Sequence, residues 1–169
     1  SGTQVRADRS VYAVLSNGAG AMAQVRAAWG TIASQYDGLL ITNHNANVPV
    51  DKTVFFSRCR AWLRYCGYSQ TINIDCLQKF SADPGGSFAE WHFNVPCGMG
   101  KVVALTFRLE IERGVNRTQL LILRGVDGEC GLNDDDEISV VLRPDIENRN
   151  FHTSTKAFMG PETEWPAAI

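Results

Sequence analysis

From Leu142 to His152 the chain concentrates groups that can do polar chemistry: Arg143, Asp145, Glu147, Asn148, Arg149, Asn150 and His152. They follow directly on the mostly apolar run Ile138 to Leu142. A strand that runs into so polar a group carries it to a surface or cleft, because unpaired burial is too costly. Planar guanidinium and carboxylate groups at alternating positions suit bidentate hydrogen bonding to a polyhydroxylated ligand. The same residues also fit a structural Arg–carboxylate network at the end of a sheet. Composition leaves both readings open.

The elements around this stretch read as mostly extended. Thr53 to Trp62 carries Val54, Phe55, Phe56 and Cys59 between Asp51-Lys52 and Gly67. Thr71 to Leu77 alternates, with Ile72, Ile74 and Cys76 opposite Thr71, Asn73 and Asp75, and reads as a strand. Phe88 to Val95 sets Phe88, Glu90, His92 and Asn94 against Trp91, Phe93 and Val95. Lys101 to Glu112 is the longest candidate strand, and Leu120 to Leu123 and Ile138 to Leu142 are short apolar runs typical of buried strands.

Turn residues separate these runs at Asp83-Pro84-Gly85-Gly86, Pro96-Cys97-Gly98-Met99-Gly100, Gly114-Val115-Asn116 and Asp127-Gly128. Many short strands with almost no convincing helix predict an antiparallel β-sandwich. One segment conflicts: Ala19 to Trp29 scores as helix on its alanines, Met22, Gln24 and Arg26, yet Gly18, Gly20 and Gly30 bracket it.

At 169 residues the chain fits one domain with a substantial core, and 44% apolar with 20% charged residues describes an ordinary globular protein. A net charge of −2 without a long basic run argues against nucleic-acid binding by phosphate neutralisation. No apolar segment is long enough to cross a bilayer as a helix, and nothing reads as a signal peptide. Cys59, Cys66, Cys76, Cys97 and Cys130 are odd in number and irregularly spaced, which favours free thiols and a cytoplasmic setting over a disulfide framework. The chain begins Ser1-Gly2 and stops at Trp165-Pro166-Ala167-Ala168-Ile169. Both ends read as cut, so the expectation is a single domain over 1–169, excised from something longer.

Other candidate sites are weaker. Asn133 to Glu137 lacks the alternating ligands and mid-loop glycine of a calcium loop and reads as a solvated hairpin loop. His44, His92 and His152 form no metal-ligand spacing, and Cys97 has no visible partner base. No metal and no cofactor are expected. Paired carboxylates for glycoside hydrolysis could be drawn from Asp37, Asp75, Glu90, Glu110 or Asp145, and the sequence selects no pair. Trp29, Tyr36, Trp62, Tyr65, Tyr68, Trp91 and Trp165 have faces that can stack on sugar rings, though a small sandwich needs most such residues as core.

Two ordered sets of residues carry a family resemblance. Leu15-Ser16-Asn17-Gly18-Ala19-Gly20 precedes Tyr36-Asp37-Gly38-Leu39-Leu40-Ile41 and Pro49-Val50-Asp51-Lys52-Thr53-Val54-Phe55-Phe56-Ser57. Leu142-Arg143-Pro144 is then followed by Arg149-Asn150-Phe151-His152. This order resembles the N-terminal domain of bacterial and archaeal glycogen debranching enzymes of the amylo-α-1,6-glucosidase type. That family shows an L-x-N-G-x-G opening, a Y-H-G-L-L strand, a Pro-Val turn, a T-V-L-L-S strand and an L-R-P…R-x-x-H stretch. The chain departs from it at Ser34 and Gln35, where arginines are common, and at Asp37, where the family has histidine. Any contact those positions make with substrate or a neighbouring domain would be altered here.

The resemblance implies a β-supersandwich that precedes a helical barrel carrying the catalytic carboxylates, starting after Ile169. It also implies that Ala19 to Trp29 forms loop and strand. On this footing the domain is non-catalytic and serves a parent that hydrolyses α-1,6 branch points in glycogen or a related α-glucan. Arg143, Asp145, Arg149 and His152 are its expected cleft-facing or interdomain residues, with Asn17, Tyr36 and Asp37 as further candidates. A free-standing carbohydrate-binding sandwich is the alternative, and a small sandwich enzyme such as a sugar epimerase a more distant one.

Overall fold

A computed structural model describes residues 10–43, 51–125, 131–133 and 135–153. The turn at Asp127-Gly128, His44, Pro49-Val50, Cys130, Asp134 and Trp165 lie outside the described residues.

Alternation of apolar and polar residues builds two antiparallel sheets. The first contains β1 (Tyr12–Ser16), β2 (Met22–Arg26), β3 (Gly38–Asn43), β4 (Lys52–Tyr65) and β10 (Ser139–Asn150) in that spatial order. A short β5 (Tyr68–Thr71) pairs with the far end of β4. The second sheet runs β6 (Leu77–Ala82), β7 (Phe88–Gly98), β8 (Lys101–Ile111) and β9 (Thr118–Arg124). Their inner faces meet as a sandwich, the expected fold class.

β7 and β8 supply more of the core than any other pair of strands. Ala89, Trp91, Phe93, Val95 and Cys97 alternate inward from β7, and Val103, Leu105, Phe107, Leu109 and Ile111 from β8. Full burial of each large side chain stabilises the fold by roughly 1.5–3 kcal/mol. Leu15, Ala23, Val25, Cys59, Ala61 and Leu63 face them from the first sheet. Trp29 fills the middle, edge-on to Trp91 at 4.9 Å and to Phe107 at 5.0 Å. The Trp91 indole donates to the Arg26 carbonyl at 2.9 Å, so a side chain of one sheet closes a backbone group of the other.

Ala19 to Trp29 is turn and strand, not helix. Ala21, Ala23 and Val25 are buried while Met22, Gln24 and Arg26 are half-buried, a period of two that helix propensity does not register. Gly18 and Gly20 take φ of 73° and 105°, which close the β1–β2 turn and would strain any other residue.

Two expectations are corrected. Thr71 to Leu77 is not one strand: β5 stops at Thr71, and a 3-10 turn occupies Ile74–Cys76 before β6 begins. The Asn73 side chain accepts from the Asp75 N–H at 3.0 Å, and this local bond competes with strand pairing. Ile138 to Leu142 is not a buried strand either. It opens β10, an edge strand on which Val141 and Leu142 are each 41% exposed. β10 then continues through the polar residues to Asn150, and Pro144 is tolerated because an edge strand can spare a ladder donor.

Among the described residues Cys59, Cys66 and Cys76 are free thiols, Cys66 exposed and the other two buried. No helix among the described residues is long and apolar enough to cross a membrane.

Candidate functional site

The polar stretch of β10 divides in two at a pair of register shifts. From Ser139 to Asp145, β10 pairs residue for residue with β4, setting Arg143 opposite Arg60 and Asp145 opposite Arg58. Shifts then fall between Asp145 and Ile146 and between Ile146 and Arg149, after which Arg149 stands opposite Val54. Such bulges re-aim side chains.

Asp145 is the hub of the first half. Its Oδ2 accepts from Arg58 Nε at 2.5 Å, and Arg60 Nη2 lies 3.2 Å from Oδ1. Its carbonyl accepts from the Ser57 hydroxyl at 3.0 Å. Partial burial alone would raise the Asp145 pKa, but the hydrogen bonds and charges of Arg58 and Arg60 outweigh it and hold the carboxyl below its ordinary value. An ionised carboxylate clamped by two guanidiniums cannot serve as a general acid at neutral pH.

Arg149 organises the second half. It is 5% exposed, and its Nε donates to Glu147 at 2.8 Å. One Nη1 donates to the carbonyls of Gln35 and Thr153, both at 2.9 Å. One guanidinium thus fastens the end of β10 to the loop before β3. The closure brings Tyr36 onto Phe151, with ring centroids 4.8 Å apart, and His152 stands 6.3 Å from Tyr36. Tyr36 and His152 are exposed and Phe151 half-buried, so the result is a small aromatic surface with a rigid base.

Asp37 holds the other side of that loop. It is 2% exposed and accepts from Arg26 Nε at 2.6 Å, Gln24 Nε2 at 2.9 Å, and the N–H groups of Ala33 and Ser34 at 2.8 and 2.9 Å. A cavity of about 20 Å³, room for about one water molecule, lies beside it, lined by Arg26, Trp29, Asp37 and Arg58 among others. Trp29, one of the lining residues, has a buried Nε1 with no hydrogen-bond partner among the described residues. The space is far too small for a sugar ring.

Asn17 belongs to a different corner. Its Oδ1 accepts from the N–H groups of Ala19 and Ala21 at 2.8 and 2.9 Å, and its Nδ2 donates to the Val115 carbonyl at 3.0 Å. It shapes the β1–β2 turn and ties it to the turn between β8 and β9.

The structure therefore gathers Tyr36, Arg149 and His152 into one place, sets Arg143 and Asp145 further along β10, and uses Asp37 and Asn17 as internal braces. Sequence reading passed over Arg58, Arg60, Arg26 and Phe151. Period-two reading of Arg58-Cys59-Arg60 would have turned both arginines to one face, whereas the contacts that link them to Asp145 span 85 residues or more. Among the described residues no three His, Cys, Asp or Glu side chains gather to hold a metal ion.

No curated protein and no solved structure matches the chain. A family model described as glycogen debranching enzyme N terminal matches residues 13–165, nearly the whole length. The chain belongs to the glycogen debranching enzyme N-terminal domain family.

Proposed function

We propose that this sandwich is the non-catalytic N-terminal domain of a glycogen-debranching-type glucosidase whose parent hydrolyses α-1,6-glucosidic branch points. The family match over residues 13–165 carries the reading. In it the sandwich packs on a helical barrel that holds the catalytic carboxylates, and helps to bind glycogen or a related α-glucan. Tyr36, Phe151 and His152 are the sugar-contacting group: apolar ring faces stack on pyranose C–H surfaces, and the histidine adds hydrogen bonding at the rim. Arg149 is a positioning residue for that group, and Asp37 fixes the loop that carries Tyr36. Free thiols at Cys59, Cys66 and Cys76 support a reducing, cytoplasmic setting.

The test uses Tyr36→Ala and His152→Ala in the enzyme with its following domain attached. Both variants keep the sandwich folded, because the side chains are exposed, and both weaken glucan binding several-fold. Unchanged activity and glucan affinity in both would sink the sugar-contact reading. Titrating the 169-residue chain alone with maltooligosaccharides separates the alternative. Clear binding by the isolated chain supports a self-sufficient carbohydrate-binding module; none supports a domain that depends on its barrel.

A further inference from the structure

β9 closes the second sheet on one side, and among the described residues no strand pairs with its far side. Two bonds fix which of its backbone groups face outward. The Glu112 N–H donates to the Arg117 carbonyl at 3.0 Å, and the Gly125 N–H to the Ala104 carbonyl at 2.9 Å. Both belong to the register that pairs Ile111 with Thr118 and Leu105 with Arg124. Backbone direction alternates along a strand, so Gln119, Leu121 and Leu123 also bond towards β8. Thr118, Leu120, Ile122 and Arg124 therefore aim their N–H and C=O groups away from it.

The other sheet edges are guarded. β10 carries Pro144 and two register shifts, β6 has a shift between Leu77 and Lys79, and on β1 the Ser16 N–H donates to the Gly86 carbonyl at 2.9 Å. β9 has no such device: its ladder with β8 runs without a shift, and it contains no proline. Its one charged side chain, Arg124, is held by the carbonyls of Asn133 and Asp136 at 2.6 and 2.7 Å. Both faces are apolar. Leu120 and Ile122 pack on the core yet stay half-buried, while outside Leu121 is half-buried and Leu123 is 53% exposed. A straight, apolar edge of this kind is a template for another strand.

The sequence of β9 selects the occupant. Laid antiparallel on itself about Leu121, the strand sets Thr118 opposite Arg124 of the second copy, Leu120 opposite Ile122, and Gln119 opposite Leu123. Outward-facing backbone groups then meet only outward-facing ones, so the Thr118–Arg124 and Leu120–Ile122 pairs are hydrogen-bonded on both sides of the axis. Core-facing side chains lie beside core-facing ones, and no charge opposes a like charge. A slip of one residue would destroy both matches. We infer that β9 is a self-association edge, where a second copy of this chain adds antiparallel about a two-fold axis at Leu121. The two four-stranded sheets then become one. One pair of seven-residue strands buries less than the roughly 1,200 Å² of a standard interface, so the dimer is weak and concentration-dependent. The inference rests neither on the sugar contact nor on a following domain.

Sedimentation velocity of the 169-residue chain between about 5 μM and 1 mM reads the association, with the mass rising from 18.6 kDa towards twice that value. Hydrogen exchange followed by NMR reads the register. The Leu120 and Ile122 amides slow several-fold across that range, whereas those of Leu121 and Leu123, already bonded to β8, change little. Leu121→Glu lies beside Arg108 in its own chain but opposite its own copy across the axis, and it weakens association about tenfold or more. Thr118→Pro, which removes an outward N–H from the first residue of β9 and leaves the β8 bonds in place, weakens it as well. Val141→Glu, at an exposed position on β10, leaves it unchanged. In a Cys66→Ser background, Leu121→Cys cross-links two copies under mild oxidation, because a non-hydrogen-bonded pair brings the Cα atoms to about 4.5 Å; Val141→Cys does not. A chain that stays monomeric throughout overturns the inference. Exchange at Leu120 and Ile122 that ignores concentration does so too. Association untouched by both Leu121→Glu and Thr118→Pro, or equal cross-linking from both cysteine variants, places the contact elsewhere and overturns it as well.

Discussion

Asp37→Ala gives the sharpest test of how this sandwich holds its site. The carboxylate is 2% exposed and accepts from Arg26, Gln24 and the N–H groups of Ala33 and Ser34. Alanine leaves the Arg26 guanidinium, itself 12% exposed, without its 2.6 Å partner and strands two backbone donors. Removing one partner from a buried ion pair costs about 3–5 kcal/mol. Arg26 retains some solvent and the Tyr12 ring at 5.7 Å, which places the loss near the lower end, about 3 kcal/mol. For a domain of this size that corresponds to a Tm lower by roughly 6–12 °C. Asp37→His, which restores the residue the family favours, is also costly, because a neutral imidazole offers one acceptor to four donors.

Urea unfolding followed by tryptophan fluorescence reads the loss directly, since Trp29 and Trp91 are buried in the core. Hydrogen exchange at the Ala33 and Ser34 amides reads it locally. The double variant Arg26→Met/Asp37→Leu recovers much of the lost stability, because no unpaired charge remains. A loss below about 1 kcal/mol with unchanged exchange at both amides would refute the assignment of Asp37 as a brace.

Two further outcomes follow from the titrating groups. Asp145 has a folded pKa below its unfolded value of about 3.9, so its contribution to stability is whole above that value and is lost as pH falls through the folded pKa. The Tm difference between the wild-type chain and Asp145→Asn is therefore largest near about pH 6 and shrinks towards about pH 2.5; a difference that is flat across the range would contradict the ion pairing. Burial pushes the Cys59 thiol up to about 11, whereas Cys66 is exposed. Under native conditions at mildly alkaline pH, thiol reagents modify Cys66 first and leave Cys59 intact until the protein unfolds, as peptide mass mapping can establish.

Legibility in the sequence tracked burial. β7 and β8 were readable because each alternates strictly between the core and an outer face, and their ends fell close to the expected residues. β2 was ambiguous for a physical reason: alanine has the highest helix propensity and also fits a tightly packed inner sheet face, so local preference and tertiary need give opposite answers. Between Thr71 and Leu77 the alternation was genuine, and Ile72 and Cys76 are both buried, but a 3-10 turn presents them inward as well as a strand would. Period alone could not tell these apart. The Asn73 side chain, which caps that turn, was the available signal.

The candidate site was half legible, and the limit lies in what an edge strand records. Where a face is buried, a one-residue slip would turn apolar side chains out to water, so sequence and register constrain each other. β10 has no such constraint over its polar half, with Ile146 at 69% exposure. Two bulges could therefore re-aim the second half without leaving a trace in composition. Read as one cluster, Arg143 to His152 looked like a single site with a single task. The bulges instead give Asp145 to the arginines of β4, and they give Arg149 to the loop that carries Tyr36. Neither partner is near in the chain: Arg149 and the Gln35 carbonyl are 114 residues apart. A polar run at the end of a strand thus foretells that contacts will be made, while the register of an unburied edge decides with what.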